Sequence, residues 1–224
     1  MEEKTKGIIP DNIKQWLEEV VSSRREVEGE EKVGSIFMPT KIEILAYITS
    51  IVVLTVCFSY VKVITLGQIW LLLPFFFITS VFVGFVQKFF SIVYLRSKGV
   101  WSENKIWPLG LILFLSTTFA FRVPFSSPTR SVHSKKFTER LSAISSASEI
   151  LISIAFAGLF FILLKRGYVA IGDAGLSMCV IGSFFSTFPV SPMSGKDIFD
   201  YSKRLWLLLF ITTLVIFVAW LLIL

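Results

Sequence analysis

Histidine and cysteine, two of the residues that hold zinc in proteins, are scarce in this chain. The sequence contains one histidine, His133, and two cysteines, Cys57 and Cys179. Both cysteines lie inside apolar runs and lack the spacing of a disulfide framework or a zinc site, so we interpret them as packing residues. His133 lies in the polar stretch SPTRSVHSKK, and we interpret it as an ordinary surface residue. We therefore expect neither a metal ion nor another cofactor.

Charge is scarce as well, because charged residues make up 17% of the chain and apolar residues 54%. Long stretches carry no charge, and a soluble domain of this size would need an unusually large core to bury so much apolar surface. The net charge of +6 arises from basic residues scattered among short loops, where such residues normally meet lipid headgroups. The composition predicts a multi-span membrane protein in contact with lipids and argues against a nucleic-acid partner.

Residues 1–41 form a charged extension that precedes the apolar segments. Within it, Ile13, Trp16, Leu17 and Val20 recur at helical spacing and predict a short amphipathic helix. Such a helix would lie on the membrane surface or against a partner. Its polar face carries charges of both signs, so a simple solvated helix is an equal alternative.

The remainder of the chain, residues 42–224, is predicted to be an all-α membrane domain. At about 20 residues per crossing, each apolar segment can form a transmembrane helix, and no strand pattern competes with this interpretation. The six predicted spans lie at about 44–61, 69–94, 107–121, 141–164, 169–188 and 205–224. With six spans and Met1 in the cytoplasm, about 12 Lys and Arg residues fall on the cytoplasmic side and about 9 on the other. This excess predicts a plasma-membrane protein with a cytoplasmic N-terminus.

Polar side chains within the predicted spans form stripes along single helix faces. In the second span, Gly84, Gln87, Lys88 and Ser91 follow the spacing i, i+3, i+4, i+7. Lipid-facing surfaces are apolar, so polar faces on several spans predict close packing around a shared interior. The fourth and fifth spans carry similar stripes, formed by Ser142, Ser145, Ser146, Glu149 and Ser153 and by Gly182, Ser183 and Ser186.

Lys88 and Glu149 carry the two strongest charges in these stripes. An ion pair between them would make each charge tolerable at depth in the membrane. Alternatively, Lys88 could extend alone toward the headgroups, since Arg96 lies only about two turns further along the helix.

Two stretches of the chain resemble the site-2 protease family of intramembrane zinc metalloproteases, especially its short archaeal-type members with six spans. LRSKGVWSENKIWPLGLILFL, residues 95–115, resembles the stretch that follows the H-E-x-x-H helix of this family. FPVSPMSGKDIFDYSKRLW, residues 188–206, resembles the Asn-x-x-Pro and Leu-Asp-Gly region, with Gly195 in place. The resemblance spans residues 81–203 and implies a site-2-protease-like core of six transmembrane helices.

The resemblance places the metal-binding motif of the family on residues that do not hold zinc. Counting back from Trp107, H-E-x-x-H aligns with Gln87, Lys88 and Ser91, so the two imidazoles and the general base are all replaced. The Asp of Leu-Asp-Gly aligns with Ser194. The Gly-Pro and Asn expected near the following span correspond to Ser145, Ser146 and Glu149. The resemblance therefore implies an inactive homologue of an intramembrane metalloprotease.

We interpret the chain as a pseudoprotease that binds an integral membrane partner as a scaffold, a chaperone or an accessory subunit of a membrane complex. One alternative is a transporter or channel subunit that uses Lys88 and Glu149. Another is a non-zinc intramembrane hydrolase, in which Lys88 serves a serine as its base. The predicted polar interior and partner-binding residues are Gln87, Lys88, Ser91, Ser145, Ser146, Glu149, Ser186 and Ser194.

Overall fold

The computed structural model describes residues 36–63, 66–125, 127–133, 138–190 and 193–223. The predicted amphipathic helix of the extension lies outside these residues. The described chain is mainly helical, with one small sheet. Its helices are α1 (Lys41–Lys62), α2 (Ile69–Ser80), α3 (Gln87–Ser97), α4 (Pro108–Phe121), α5 (Glu139–Lys165), α6 (Val169–Ser186), α7 (Ser194–Tyr201) and α8 (Lys203–Ile223). A 3-10 turn (Leu66–Gln68) precedes α2, a π-helical turn (Val81–Val86) joins α2 to α3, and the strands are β1 (Ser102–Ile106) and β2 (Thr129–His133).

Five helices are long and apolar enough to cross a bilayer, and they lie where five of the six spans are predicted. They are α1, the continuous 29-residue helix from Ile69 to Ser97, α5, α6 and α8. Their length and composition indicate an integral membrane protein. Helix α8 is the most peripheral, because only 11% of its most apolar window is buried within the protein. It packs on α6 through the stacked rings of Phe184 and Phe217, whose centroids are 4.5 Å apart.

Contacts between helix termini define two ends of this bundle. At the first end, Glu43 near the start of α1 pairs with Arg96 near the end of α3, with 2.8 Å between Oε1 and Nη2. At the second end, Lys62 in the last turn of α1 pairs with Asp173 in α6 at 3.0 Å. Helix α8 starts at the first end, where Trp206 Nε1 donates to the carbonyl of Thr187 at 2.8 Å.

The third predicted span, residues 107–121, corresponds to α4, which is too short to cross a bilayer as the other helices do. Its 14 residues extend about 21 Å, against a hydrocarbon thickness of about 30 Å. At the end of α4, the side chain of Arg122 reaches the second end of the bundle, where its Nη1 donates to the carbonyl of Val63 at 3.1 Å. The chain is back at the first end at His133, which lies opposite Ser102 in the sheet. The chain therefore leaves the sheet at Ile106 and returns to it at Thr129, and the prediction of a sixth crossing is not confirmed.

The small antiparallel sheet was not predicted, because the sequence shows no strand pattern. Its pairing runs from Ser102 opposite His133 to Ile106 opposite Thr129. Long-range contacts fix β1: Arg96 Nε donates to the carbonyl of Ser102 at 3.0 Å, and Glu43 Oε1 accepts from the main-chain N–H of Asn104 at 3.3 Å. Strand formation by polar residues depends on such tertiary contacts, which is why the sequence SENKI gave no signal.

Two glycines permit close approaches that position the functional region. A Cβ atom on Gly110 would lie 1.7 Å from the ring of Trp107, which covers the first turn of α4. A Cβ atom on Gly195 would lie 2.1 Å from the carbonyl oxygen of Thr187. The start of α7 therefore packs directly against the end of α6 because residue 195 has no side chain.

Candidate functional site

The polar stripe of α3 faces the polar stripe of α5. Lys88 Nζ lies 2.6 Å from Glu149 Oε2, which confirms the predicted ion pair; Lys88 does not extend alone to the headgroups. One position earlier, Gln87 Nε2 donates to the main-chain carbonyl of Glu149 at 2.7 Å. Ser91 and Ser145 are hydrogen-bonded through their hydroxyls one turn closer to the first end. The two antiparallel helices are thus joined by polar contacts over about two turns.

Helix α7 brings two further polar residues to this interface. Ser194 Oγ donates to Glu149 Oε2 at 3.0 Å, so this one carboxylate oxygen accepts from both Lys88 and Ser194. Ser146 Oγ donates to Asp197 Oδ2 at 3.1 Å. Asp197 was not among the predicted site residues, although its i, i+3 spacing from Ser194 places both residues on one face of a helix. The positions that the resemblance aligns with metal ligands, Gln87, Ser91 and Ser194, therefore lie in one cluster around Glu149.

A π-helical turn precedes this cluster in the second span. The π segment from Val81 to Val86 ends directly before Gln87. A π turn inserts one extra residue into the helix, which rotates everything that follows and is frequent at functional sites. Gly84 permits this turn to lie against α1, because its Cβ position is only 3.2 Å from the side chain of Leu54. The turn directs Gln87 and Lys88 toward α5, and hydropathy alone gave no signal for it.

The cluster lines a partly open cavity of about 170 Å³ between the helices and the sheet. One wall is polar and comes mainly from α3, α5 and α7. The apolar lining residues include Leu54, Phe58, Phe114, Met178 and Phe185, which belong to or pack against one hydrophobic cluster. Of the predicted interior residues, Gln87, Lys88, Ser145, Ser146, Glu149, Ser186 and Ser194 line this cavity.

Ser142 is a cavity-lining residue whose hydroxyl is left unsatisfied. Its side chain is buried, with 2% of the residue exposed, and its Oγ has no hydrogen-bond partner among the described residues. A buried hydroxyl without a partner costs about 1–3 kcal/mol. The cavity therefore contains a polar group that a bound molecule could satisfy.

His133 is not the surface residue that the sequence predicted. It lies in β2, lines the cavity, and pairs through Nδ1 with the hydroxyl of Ser102 at 2.9 Å. Burial, assisted by the positive charge of Lys88, lowers its pKa to about 4, so the imidazole is neutral at pH 7. The prediction failed because the SPTRSVHSKK stretch is polar, and the folding of residues 129–133 into a strand beside the spans depends on pairing with β1.

The polar side chains of this cluster already engage one another in hydrogen bonds and an ion pair. Within the described ranges, no three His, Cys, Asp or Glu side chains lie close enough together to hold a metal ion. A Ser-Lys dyad requires the serine to give its proton to the lysine, yet Ser194 and Lys88 both donate to Glu149. What the site offers is a set of hydrogen-bond donors and acceptors at membrane depth.

Comparison with known proteins gives no independent indication of function. The chain matches no protein-family model, no curated protein and no solved structure.

Proposed function

We propose that this protein is a catalytically inactive, site-2-protease-like membrane protein that binds a transmembrane segment of a partner protein. It would act as a scaffold, a chaperone or an accessory subunit of a membrane complex. The observation that carries the proposal is the sharing of one Glu149 oxygen by Lys88 and Ser194. An ammonium group thus occupies the position where the resemblance expects a catalytic base beside a dication, and like charges would repel.

The polar interface supports binding because unsatisfied polar groups are costly in hydrocarbon. A partner helix that carries a polar side chain gains by placing it near donors such as Ser142 and Ser186, which line the cavity. The partial opening of the cavity gives such a side chain a route inward. In this proposal α4 takes the place of the third span of a six-span core, as a shortened, re-entrant helix.

The distribution of basic residues supports a cytoplasmic location for the first end. Lys and Arg accumulate on the cytoplasmic side of membrane proteins. The described basic residues at the first end are Lys41, Arg96, Lys98, Lys105, Arg130, Arg140, Lys196, Lys203 and Arg204, whereas those at the second end are Lys62, Arg122, Lys165 and Arg166. We infer that the N-terminus and the sheet face the cytoplasm and that the membrane concerned is the plasma membrane.

Purification from native membranes in mild detergent tests this function. We expect a defined integral membrane protein to co-purify with the wild-type chain and to be lost on Ser186→Leu, which would place a bulky apolar side chain in the cavity. Lys98→Met is the control, because Lys98 is exposed and does not line the cavity. One equivalent of bound zinc, or cleavage of a partner that depends on Glu149, would refute an inactive binding protein.

A further inference from the structure

We propose that the cavity is a binding site for the phosphate headgroup of an anionic phospholipid, with the first part of an acyl chain lying along the apolar wall. This site uses the same cavity that the proposed partner contacts, but lipid binding does not depend on the partner and is measured separately. It follows from the walls, the unsatisfied hydroxyl, the charge and the size of the cavity.

The two walls of the cavity suit a molecule that is polar at one end and apolar at the other. The polar wall presents hydroxyls from Ser142, Ser186 and Ser194. The apolar lining includes Val83 and Phe185, which are partly exposed and pack on the buried apolar cluster shared by α1, α2, α4 and α6. A soluble polar ligand would leave this apolar wall uncovered, whereas an acyl chain would cover it.

Ser142 supplies the specific polar position. Its hydroxyl is almost fully buried, lacks a partner among the described residues, and lines the cavity. Phosphate oxygens are strong hydrogen-bond acceptors, so a headgroup phosphate would satisfy this donor. The neighbouring hydroxyl of Ser145 is already engaged by Ser91, which makes Ser142 the available donor on that turn of α5.

The charge of the lining residues is complementary to a phosphate. Lys88, Arg130 and Lys196 line the cavity together with only two carboxylates, those of Glu149 and Asp197. Lys196 also pairs with Asp200, one turn along α7, but both side chains are more than 30% exposed, at 41% and 33%. Pairs this exposed contribute about 0–1 kcal/mol, so Lys196 can turn toward a phosphate at little cost.

The size and location of the cavity favour a headgroup over a whole helix. A volume of about 170 Å³ accommodates several water molecules or a polar group of similar size. A helix with its side chains is about 10–12 Å across and does not fit in that space. The cavity adjoins the sheet at the first end, where most of the described basic residues lie, as in other basic pockets between helices that bind lipid headgroups.

Lipid retention by the purified full-length protein tests the site. The protein in neutral detergent is incubated with phosphatidylglycerol, with phosphatidylcholine, or with glycerol phosphate alone. Bound lipid is counted by native mass spectrometry, and the unfolding temperature is measured in each case. We expect one phosphatidylglycerol per chain to be retained and to raise the unfolding temperature, with at least tenfold weaker retention of phosphatidylcholine and no effect of glycerol phosphate.

Two variants, each with a matched control, separate binding from folding. Ser142→Val removes the hydroxyl and narrows the cavity, whereas Ser148→Val alters the same helix at a residue that does not line it. Lys196→Gln removes one lining cation, whereas Lys203→Gln removes an exposed cation outside the cavity. We expect retention to fall at least tenfold in Ser142→Val and severalfold in Lys196→Gln, and to be unchanged in both controls.

Three results would overturn the proposal: equal retention of phosphatidylglycerol and phosphatidylcholine, unchanged retention in Lys196→Gln, or the same stabilisation by glycerol phosphate alone. The last result would assign the site to a soluble phosphate compound. Because Lys196→Gln changes a half-exposed side chain, it remains informative if Ser142→Val does not fold. Partner co-purification is measured separately, so either proposal can fail without the other.

Discussion

Lys88 on α3 and Glu149 on α5 form an ion pair of 2.6 Å between two membrane-spanning helices, with 21% and 8% of their side chains exposed. Gln87 reinforces the contact by donating to the main-chain carbonyl of Glu149, and Ser194 by donating to its carboxylate. Three helices are therefore joined at a single residue. Removing one partner of such a pair leaves the other charge buried and uncompensated, which makes the pair open to a direct energetic test.

The pair predicts strong coupling between substitutions at its two members. Lys88→Met and Glu149→Gln should each destabilise the protein, while the double variant should lose about 1–3 kcal/mol less than the sum of the two single losses. The free energy of unfolding in detergent micelles measures this difference. Lys98→Met with Glu139→Gln, two exposed residues, provides an additive control. Additive effects at Lys88 and Glu149 would mean that the pair contributes nothing to stability.

The ion pair at the first end should contribute much more than the one at the second end. Arg96 and Glu43 are 3% and 1% exposed, and Glu43 also accepts from the main-chain N–H of Asn104. We expect Glu43→Gln to cost about 3–5 kcal/mol, because the guanidinium of Arg96 is then left without its counter-charge. Asp173→Asn, in the more exposed pair with Lys62, should cost at most about 1 kcal/mol. Thermal unfolding of both variants under the same conditions gives the comparison, and equal losses would contradict it.

Gly195 should be intolerant of even a methyl group. Gly195→Ala places a Cβ atom against the carbonyl of Thr187, so α7 must shift and the contact between Ser194 and Glu149 must lengthen. We expect a loss of about 1–3 kcal/mol from this overpacking. Gly158→Ala in α5 is the control, because nothing lies within 4 Å of its Cβ position. There, alanine should be neutral or stabilising by up to about 1 kcal/mol. Similar unfolding temperatures for both variants would show that α7 is not held as described.

The proposed re-entrant position of α4 predicts that residues 98 and 165 lie on opposite sides of the membrane and that the C-terminus lies with residue 165. Single cysteines at Lys98 and Lys165 can be labelled with an impermeant maleimide, because the native Cys57 and Cys179 are buried. In intact cells we expect label at position 165 only, and after permeabilisation label at both. A C-terminal phosphatase fusion should be active outside the cytoplasm. A six-crossing chain would instead return the C-terminus to the side of residue 98.

His133 should make the stability of the protein fall on acidification. Its pKa is lowered from 6.5 to about 4 in the folded protein, so between these values the unfolded chain binds more protons. The stabilising effect is therefore complete above pH 6.5 and is lost as the pH falls toward 4, by about 2 kcal/mol between pH 7 and pH 5. His133→Asn should be less sensitive over this interval by that amount. Parallel stability curves for the two proteins would show that the imidazole is not buried in its neutral form.

The polar interior was predictable from the sequence because helical periodicity places Gln87, Lys88 and Ser91 on one face, whatever surrounds that face. The partner of Lys88 followed from the cost of an isolated charge in hydrocarbon, which Glu149 could relieve. By contrast, the sheet depends on the carboxylate of Glu43, 61 residues earlier in the chain, which accepts from the main-chain N–H of Asn104, and no local sequence pattern indicates such a contact.

The number of membrane-crossing helices could not be predicted from the sequence, for a different physical reason. Residues 107–121 are apolar throughout, and apolar composition alone cannot distinguish a short span from a helix that packs inside the protein and returns. Trp107 was useful as a landmark, and its ring covers Gly110 at the beginning of α4. The π turn before Gln87 was similarly hidden, because it changes the rotation of a helix without changing its hydropathy.

The peripheral position of α8 bears on how freely this helix can change during evolution. Most of its surface meets only acyl chains, which accept any apolar side chain, so exposed positions such as Leu208 and Leu222 are under little structural constraint. Leu209 and Thr213 are buried against the rest of the protein and are not interchangeable in this way. The rate of amino-acid substitution in α8 should therefore vary with helical periodicity. It should be high on the lipid-facing side and low where Phe217 contacts Phe184.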